Sequence, residues 1–358
     1  MKPGIITILF FSFAIAALGQ PEPPQLQHAN LVTRNATDLA AEIHRVTAEK
    51  QASWTAYAVP SIAPDQQMCC FNSHDGLITS CECSLEKQDS GQSARSMEST
   101  TSTHLEPRPY FYVFLRSEGG SIQKVRSLSA DCPIDADGMT VYWLGTPRAP
   151  DSVAFLASLV GRAPEESHSD RVTDGAILAI AYTNDGSADQ ALDQFLAANK
   201  PSSIRKKAAF WTAQMRGKIG LQKLIAIMHN DSNEQFRADL TFDISQSKQP
   251  EGQEELLHVA HQDQSPHVRS QALFWLAQKA GKKIAVAIND AIENDPDTEV
   301  KKRAVFALTQ MPEGEGIPML IQVAKTNNNP AVRKQAVFWL GQSHDPRALD
   351  FIESVLTR

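Results

Sequence analysis

Five cysteines, Cys69, Cys70, Cys81, Cys83 and Cys132, are the side chains best suited to covalent chemistry, and all lie in the first half of the chain. Clustered thiols form disulfides in an oxidising compartment, bind zinc, or do redox work when one is left unpaired. A zinc site would draw on Cys70, His74, Cys81 and Cys83. Zinc knuckles, however, want about two to four residues between paired cysteines, whereas Cys69 and Cys70 are adjacent and Cys81 and Cys83 are parted only by Glu82. Disulfides are therefore expected, with one thiol left over and the connectivity open.

The other donor groups are weaker. Asp135-Ala136-Asp137-Gly138 has the look of half a calcium loop, but its twelfth position is Thr146 where a bidentate Glu should close the site. His258 and His261 share a helix face near Glu254, with His267 close in sequence, and exposed polar positions on a helix explain them as well as a metal does. A nucleophile elbow, a paired-His zinc helix, a phosphate loop and a dinucleotide fingerprint are all missing. No catalytic residue, metal or cofactor is expected.

One pattern reaches further. Phe210, Phe242, Phe274, Phe306 and Phe338 recur at a fixed spacing, and four residues after each stand Gln214, Gln246, Gln278, Gln310 and Gln342. The spacing is a 32-residue period. With Ile204, Phe236, Val268, Val300 and Val332 as position zero, a cation follows at the next residue and Ala208, Leu240, Ala272, Ala304 and Ala336 three further on. Asn199, Asp231, Asp263, Asp295 and Asn327 precede each zero by a turn, and Leu192, Leu224, Leu256, Ile288 and Leu320 precede those. Each unit thus reads as an apolar helix A, an Asx turn and an amphipathic helix B. Val172, Ala176 and Leu178 continue the register upstream, and Ile352, Val355 and Leu356 form a closing helix downstream. Two such helices cannot bury their own faces, so the units must stack into an α-solenoid.

At about 100° per residue, helix B positions 0, 4 and 8 gather on one side and position 6, the Phe, points to the other. Stacked B helices line the concave face of a solenoid, so the Phe and Gln strip reads as a partner-binding surface or, if each ring folds onto its neighbour, as a stabilising ladder. Trp211, Trp275 and Trp339 fall at the flank where B helices touch and are expected to pack. Asp243 and Ala307 hold that place in the other repeats, so the stack should be weaker around Asp243.

Segments such as Val268-Arg269-Ser270-Gln271-Ala272 and Val332-Arg333-Lys334-Gln335-Ala336-Val337-Phe338-Trp339-Leu340-Gly341 resemble the short bacterial HEAT-like repeat, also called the phycobilisome-lyase-type HEAT repeat. The resemblance covers roughly residues 165–358, is strongest from 199 on, and leaves the N-terminal region unrecognised. It implies a right-handed superhelix of helix pairs that scaffolds protein contacts, and in a minority of members chromophore-lyase activity, which nothing in these residues supports. It also implies a structural ladder of turn Asp and the cation six residues later, here Asp231 with Arg237, Asp263 with Arg269 and Asp295 with Lys301; Arg333 has only Asn327 to match.

The N-terminus points to export. Lys2 precedes a largely apolar stretch from Ile5 to Leu18, too short to span a bilayer as a mature helix, with Ala17 and Gly19 before a cut at Gln20. Residues 1–19 are read as a signal peptide, which makes the chain periplasmic or extracellular, without membrane insertion after cleavage. Residues 20–150 read as a cysteine-containing α+β domain. Leu39, Ile43 and Val46 make a helix stripe capped by Asn35 or Thr37, and Trp54–Val59, Phe111–Arg116, Ile122–Leu128 and Thr140–Leu144 read as strands, the middle two joined at residues 117–121. Residues 86–107, almost without apolar side chains, read as a mobile loop. Residues 151–358 are the solenoid.

A net charge of -7, with a pI near 5.8, gives no nucleic-acid signature. The sequence therefore points to a multidomain, exported, non-enzymatic scaffold that binds a protein or peptide through its concave face. The alternatives are thiol redox chemistry in the N-terminal domain, and self-assembly in which the strip contacts that domain or another copy.

Overall fold

The computed structural model of the protein describes residues 21–34, 36–64, 73–74, 77–78, 83–86, 109–130, 134–161, 169–279 and 281–357. Residues 1–19, Cys69, Cys70, Cys81, Cys132, Asn35 and all of the 86–107 segment beyond Glu86 lie outside them.

The N-terminal region contains ten strands among the described residues: β1 (Leu26–Gln27), β2 (Asn30–Thr33), β3 (Ser53–Pro60), β4 (Ser73–His74), β5 (Leu77–Ile78), β6 (Cys83–Ser84), β7 (Tyr110–Glu118), β8 (Ser121–Ser129), β9 (Ile134–Asp135) and β10 (Thr140–Trp143). Helix α1 (Leu39–Ala48) lies between β2 and β3. The main sheet has the order β2-β10-β3-β7-β8, with β10 parallel to both neighbours and β3, β7 and β8 antiparallel. The β7–β8 turn is Gly119-Gly120, both at positive φ, the backbone of a tight hairpin. A small sheet, β1-β9-β6, and the β4–β5 pair complete the strands. These short pairings escape a sequence reading because two residues carry no period. The cap of α1 is Asp38, whose carboxylate accepts from Ala41 N, instead of Asn35 or Thr37.

Strand β3 is buried along almost its whole length because both faces of the main sheet are covered. Tyr57, Val59, Phe111, Val113, Leu115 and Val125 face the helices, while Trp54, Ala56, Ala58, Tyr112, Phe114 and Val141 face Leu85, Ile134 and Ala136 of the small-sheet layer. Glu86 holds the edge of that layer, accepting from Trp54 Nε1 at 2.7 Å and Arg116 Nε at 2.6 Å.

From residue 149 onward the chain is helical: α2 (Ala149–Leu159), α3 (Ser169–Tyr182), α4 (Gly186–Leu196), α5 (Ser202–Met215), α6 (Gly217–Asn230), α7 (Glu234–Gln246), α8 (Pro250–Gln262), α9 (Pro266–Ala277), α10 (Lys282–Asn294), α11 (Thr298–Thr309), α12 (Gly316–Thr326), α13 (Pro330–Gln342) and α14 (Pro346–Leu356). The odd-numbered members from α3 to α13 are the B helices. Asn233, Ser265, Asp297 and Asn329 cap four of them with side-chain oxygens, and Pro266 and Pro330 open two at the position where no N–H is needed. Positions 0, 4 and 8 are buried in α5, α7, α9, α11 and α13 as their period requires, and in α3 Ala176 and Ile180 are buried while Val172 is half-buried. The closing helix α14 turns differently: Ala348 and Phe351 are its buried residues, whereas Val355 and Leu356 are exposed.

The B helices pack against one another along the stack more closely than the A helices do, which puts them on the inner, concave side. The sheet covers the first face of the stack. Helix α3 lies along β8, and Ile62 N and Asn184 N bond Tyr182 O and Pro60 O, both at 2.9 Å, tying the end of β3 to the α3–α4 turn. Gly175 permits this approach, since a Cβ there would stand 2.1 Å from the Val125 carbonyl oxygen. Gly175→Ala should therefore lower stability by about 1 to 3 kcal/mol, whereas Gly341→Ala, on a helix with nothing within 4 Å, should raise it by about 0.5 to 1 kcal/mol. Urea midpoints of the two variants measure the contrast.

Candidate concave binding face

The periodic phenylalanines do not stand free. The wheel aims position 6 away from the helix's own core, but the next B helix lies there, so Phe210, Phe242, Phe274 and Phe306 are half-buried and only Phe338, on α13, is 53% exposed. Their rings join with the tryptophans one residue on. Phe210 stacks on Phe242 at 6.2 Å with planes 6° apart, and Phe274 on Phe306 at 6.2 Å and 7°. Between these pairs Trp275 reaches back over Phe242 at 4.7 Å and Trp339 over Phe306 at 4.8 Å. Trp211 reaches Tyr182 at 6.0 Å, and Tyr182 meets Phe111 of the sheet at 6.0 Å. A continuous ribbon of aromatic rings thus runs from β7 to α13 along the inner helices. Offset and edge contacts of this kind each contribute about 0.5 to 1.5 kcal/mol beyond burial.

Beside the ribbon, Gln214, Gln246, Gln278 and Gln342 are exposed and Gln310 half-buried. Gln246 and Gln310 donate only to the hydroxyl of the preceding residue, Ser245 and Thr309. Among the described residues no glutamine bonds another, so much of their amide capacity faces solvent.

The cation ladder joins successive repeats. Arg237 donates to both oxygens of Asp263 at 3.0 and 3.1 Å, and Arg269 to both of Asp295 at 2.8 and 3.0 Å; Arg205 donates through one nitrogen to one oxygen, Oδ2, of Asp231. The Asp of the repeat's own turn offers only its backbone: Arg237 bonds Asp231 O and Arg269 bonds Asp263 O, each at 2.8 Å. Its carboxylate instead accepts the N–H two residues on, as Asp231 does from Asn233 at 2.8 Å. Each ion pair therefore reaches to the following turn, where the family resemblance implied pairing of each cation with the Asp six residues before it. These hydrogen bonds hold the Arg237 and Arg269 guanidinium groups above their ordinary pKa. Lys301 cannot fork in this way and bonds Glu293 O at 2.6 Å, while Asn327 donates to the Glu293 carboxylate and Arg333 bonds Asn327 O.

The remaining donors sort as follows. Cys83 lies in β6. Asp135 accepts from Asp137 N at 2.9 Å and faces His28 at 3.2 Å, and Asp137 accepts from Ser84 at 2.6 Å, so the half calcium loop is a hydrogen-bonded turn. Of the histidines, His258 does not meet His267, which stands in the first turn of α9. It meets His229 of the preceding A helix, rings 5.3 Å apart, with Glu255 2.9 Å from His229. Ligand atoms of His229, Glu255 and His258 lie within 4.8 Å of one another and could hold a divalent ion. His261 pairs instead with Asp290 at 3.3 Å. His229 and His261 share a repeat position, so an offset of 29 residues between stacked A helices was the signal that would have found this group.

At α5 and α7 the ribbon opens into a cavity of about 600 Å³ lined by Phe210, Trp211, Phe242 and Asp243, among others. Asp243 occupies the tryptophan position of its repeat and is 5% exposed. Burial, reinforced by Asp239 and opposed by Lys206, pushes its carboxyl up to about 8.

A family model described as HEAT repeats matches residues 286–358. No curated protein matches the chain in sequence. Among solved structures, the complex of CpcE and CpcF of phycocyanin lyase from Nostoc sp. PCC7120 is similar at 15% identity, over 44% of this chain and 97% of that one, with a TM-score of 0.33. Human deoxyhypusine hydroxylase in complex with glycerol is similar at 14% identity, over 57% and 90%, with a TM-score of 0.25. The helical part of the protein is a HEAT-like solenoid of stacked helix pairs, with the family match in residues 286–358, and it follows an α+β N-terminal region.

Asp243 generates a pH signature. Its unfolded carboxyl loses its proton near about 4, but the folded one holds it to about 8, so the folded state binds more protons between these values and stability falls as pH rises through that window. The charged groups facing it are Lys206 and Lys207 from α5, Asp174 from α3 and Asp239 from α7; α9 adds none to the cavity lining. Urea midpoints at pH 5 and pH 8.5 should fall less with pH for Asp243→Asn than for the native chain. Equal falls would show that Asp243 ionises normally.

Proposed function

We propose that the protein is an exported scaffold whose HEAT-repeat array holds an extended segment of another protein along the inner helices. The observation that carries this reading is the aromatic ribbon, one rung per repeat, with uncommitted glutamine amides beside it. Rungs separated by about 8 to 10 Å match about three residues of a polyproline-II-like extended chain at roughly 3.1 Å each, in which every third side chain leaves from the same side. An apolar side chain at every third position would meet the edges of the rings, and the glutamines would bond the peptide backbone between them. The cost of ordering such a segment means that affinity depends on several rungs acting together. Export is supported by Lys2, the apolar run from Ile5 to Leu18 and the small residues before Gln20.

Peptides selected by display against the chain beginning at Gln20 should bind in a way that depends on this face. A variant carrying Gln246→Ala, Gln278→Ala and Phe338→Ala, all exposed positions, should keep its helicity by circular dichroism and lose about 10-fold or more in affinity, about 1.4 kcal/mol. Unchanged binding to that variant removes the concave face as the working surface. For export, mass spectrometry of the protein from the exported fraction of its host should give Gln20 as the first residue; a chain that keeps residues 1–19 and stays inside the cell contradicts it.

A further inference from the structure

The cavity between α5 and α7 is a local departure from the repeat. Where position 7 is tryptophan, the ring reaches back and covers the preceding phenylalanine, as Trp275 covers Phe242 and Trp339 covers Phe306. Asp243 has no ring to lay over Phe210. The space that tryptophan fills elsewhere is open here, walled by Phe210, Trp211 and Phe242 and floored by a carboxyl that is 5% exposed. Placing a carboxyl in such a position costs stability, and Lys206, the neighbouring charge that opposes the cost, is outweighed by burial and Asp239. Lys206 is paired with Asp239 at 2.7 Å and Lys207 with Asp174 at 2.5 Å. Among the described residues Asp243 has neither a hydrogen bond nor an ion pair. Among the described residues the lining holds three acids and two lysines, each lysine paired with another acid, so Asp243 when ionised carries a negative charge that no lining lysine is committed to.

We infer that this cavity receives the alkylammonium group of a lysine side chain from the bound segment, with the Asp243 carboxylate as counter-ion and the Phe210, Trp211 and Phe242 rings around the cation. Aromatic faces attract a cation through their quadrupoles, and the attraction grows as water is excluded. The alkyl stem of lysine suits apolar walls, and its charge completes the local balance. An anion would oppose ionisation of Asp243 and be repelled by its carboxylate once formed, and a neutral chain would leave that carboxyl without a partner. Because the empty cavity keeps Asp243 protonated up to about pH 8, binding releases that proton and tightens as pH rises, while an alkylammonium stays charged throughout. The inference rests on the concave face being the partner-binding surface.

The test uses the full chain from Gln20 and three small probes of similar size: n-butylammonium, n-butanol and butyrate, followed by Trp fluorescence and saturation-transfer NMR. At pH 8.5 n-butylammonium should bind about 10-fold or more tighter than either of the others, and tighter than it does at pH 6. Asp243→Asn should abolish that preference. Asp243→Trp, which restores the residue found in three other repeats, should abolish binding of all three probes while leaving the fold intact and its thermal midpoint unchanged or raised. Equal binding of butanol or butyrate, or an Asp243→Asn variant that still prefers the cation, overturns the inference. In the peptide arm, replacing lysine by norleucine in selected peptides should cost about 10-fold on the native chain and little on Asp243→Asn. If peptides bind the ribbon but never through a lysine, the concave-face reading stands and this one falls. If n-butylammonium binds through Asp243 but no peptide does, the lysine assignment is overturned and the cavity is a receptor for free amines.

Discussion

A pair of helices with apolar residues on two sides cannot be covered by itself, and this constraint shapes the whole molecule. From α5 to α13 every B helix buries positions 0, 4 and 8 and then needs a second B helix to cover its flank. The need propagates along the stack, so that the core is one connected set of side chains from Leu39 to Phe351. At the N-terminal side the five-stranded sheet meets it: β8 takes the place of a preceding helix against α3, and Gly175 lets the backbones close up.

Two interactions fasten each repeat to the next, and both run forward along the stack. Arg237 and Arg269 fork onto the turn carboxylates of the following repeat while holding a carbonyl of their own turn, so a single side chain sets the spacing and the angle between units. On the inner side the phenylalanine of one repeat lies against the phenylalanine or tryptophan of the next. Buried ion pairs contribute little net stability but strongly disfavour wrong register, whereas the rings add contact energy without fixing position. The Lys301 and Asn327 substitution weakens the polar half of this joint at α11 and α13, where the Phe306 and Trp339 contact remains.

The proposed function rests on where this repetition is complete and where it fails. The ribbon is a consequence of packing, yet its rings stay half-exposed because a B helix covers them from one side only. That leaves apolar edges and glutamine amides together on the inner surface, the combination suited to an extended chain. The tryptophan missing at Asp243 turns one rung from a wall into a cavity with an unpaired acid. A repeat protein can tolerate such a loss because neighbouring interfaces carry the fold, and this makes single repeats the natural places for specificity.

Much of this was legible from residue spacing. The 32-residue period located both helices of every unit, the buried positions of each B helix and the cations at the turns, because a helix of fixed pitch converts spacing directly into direction. The long strands β3, β7 and β8 and their hairpin were legible for a different reason, as runs rich in β-branched and aromatic residues, β7 and β8 on either side of a Gly-Gly turn. What the spacing could not decide was anything set by a neighbour 26 to 34 residues away. The wheel gave Phe210 and its equivalents an outward bearing, but the adjacent helix turned that bearing into a stack. The family resemblance implied a ladder of each turn Asp with the cation six residues later, and the offset of 26 that the structure uses depends on how far one repeat is displaced from the next. His229 joined His258 and Glu255, and Asp243 came to face a cavity, for the same physical reason: sequence determines which face a side chain leaves from, and only the packing of successive repeats determines what it meets.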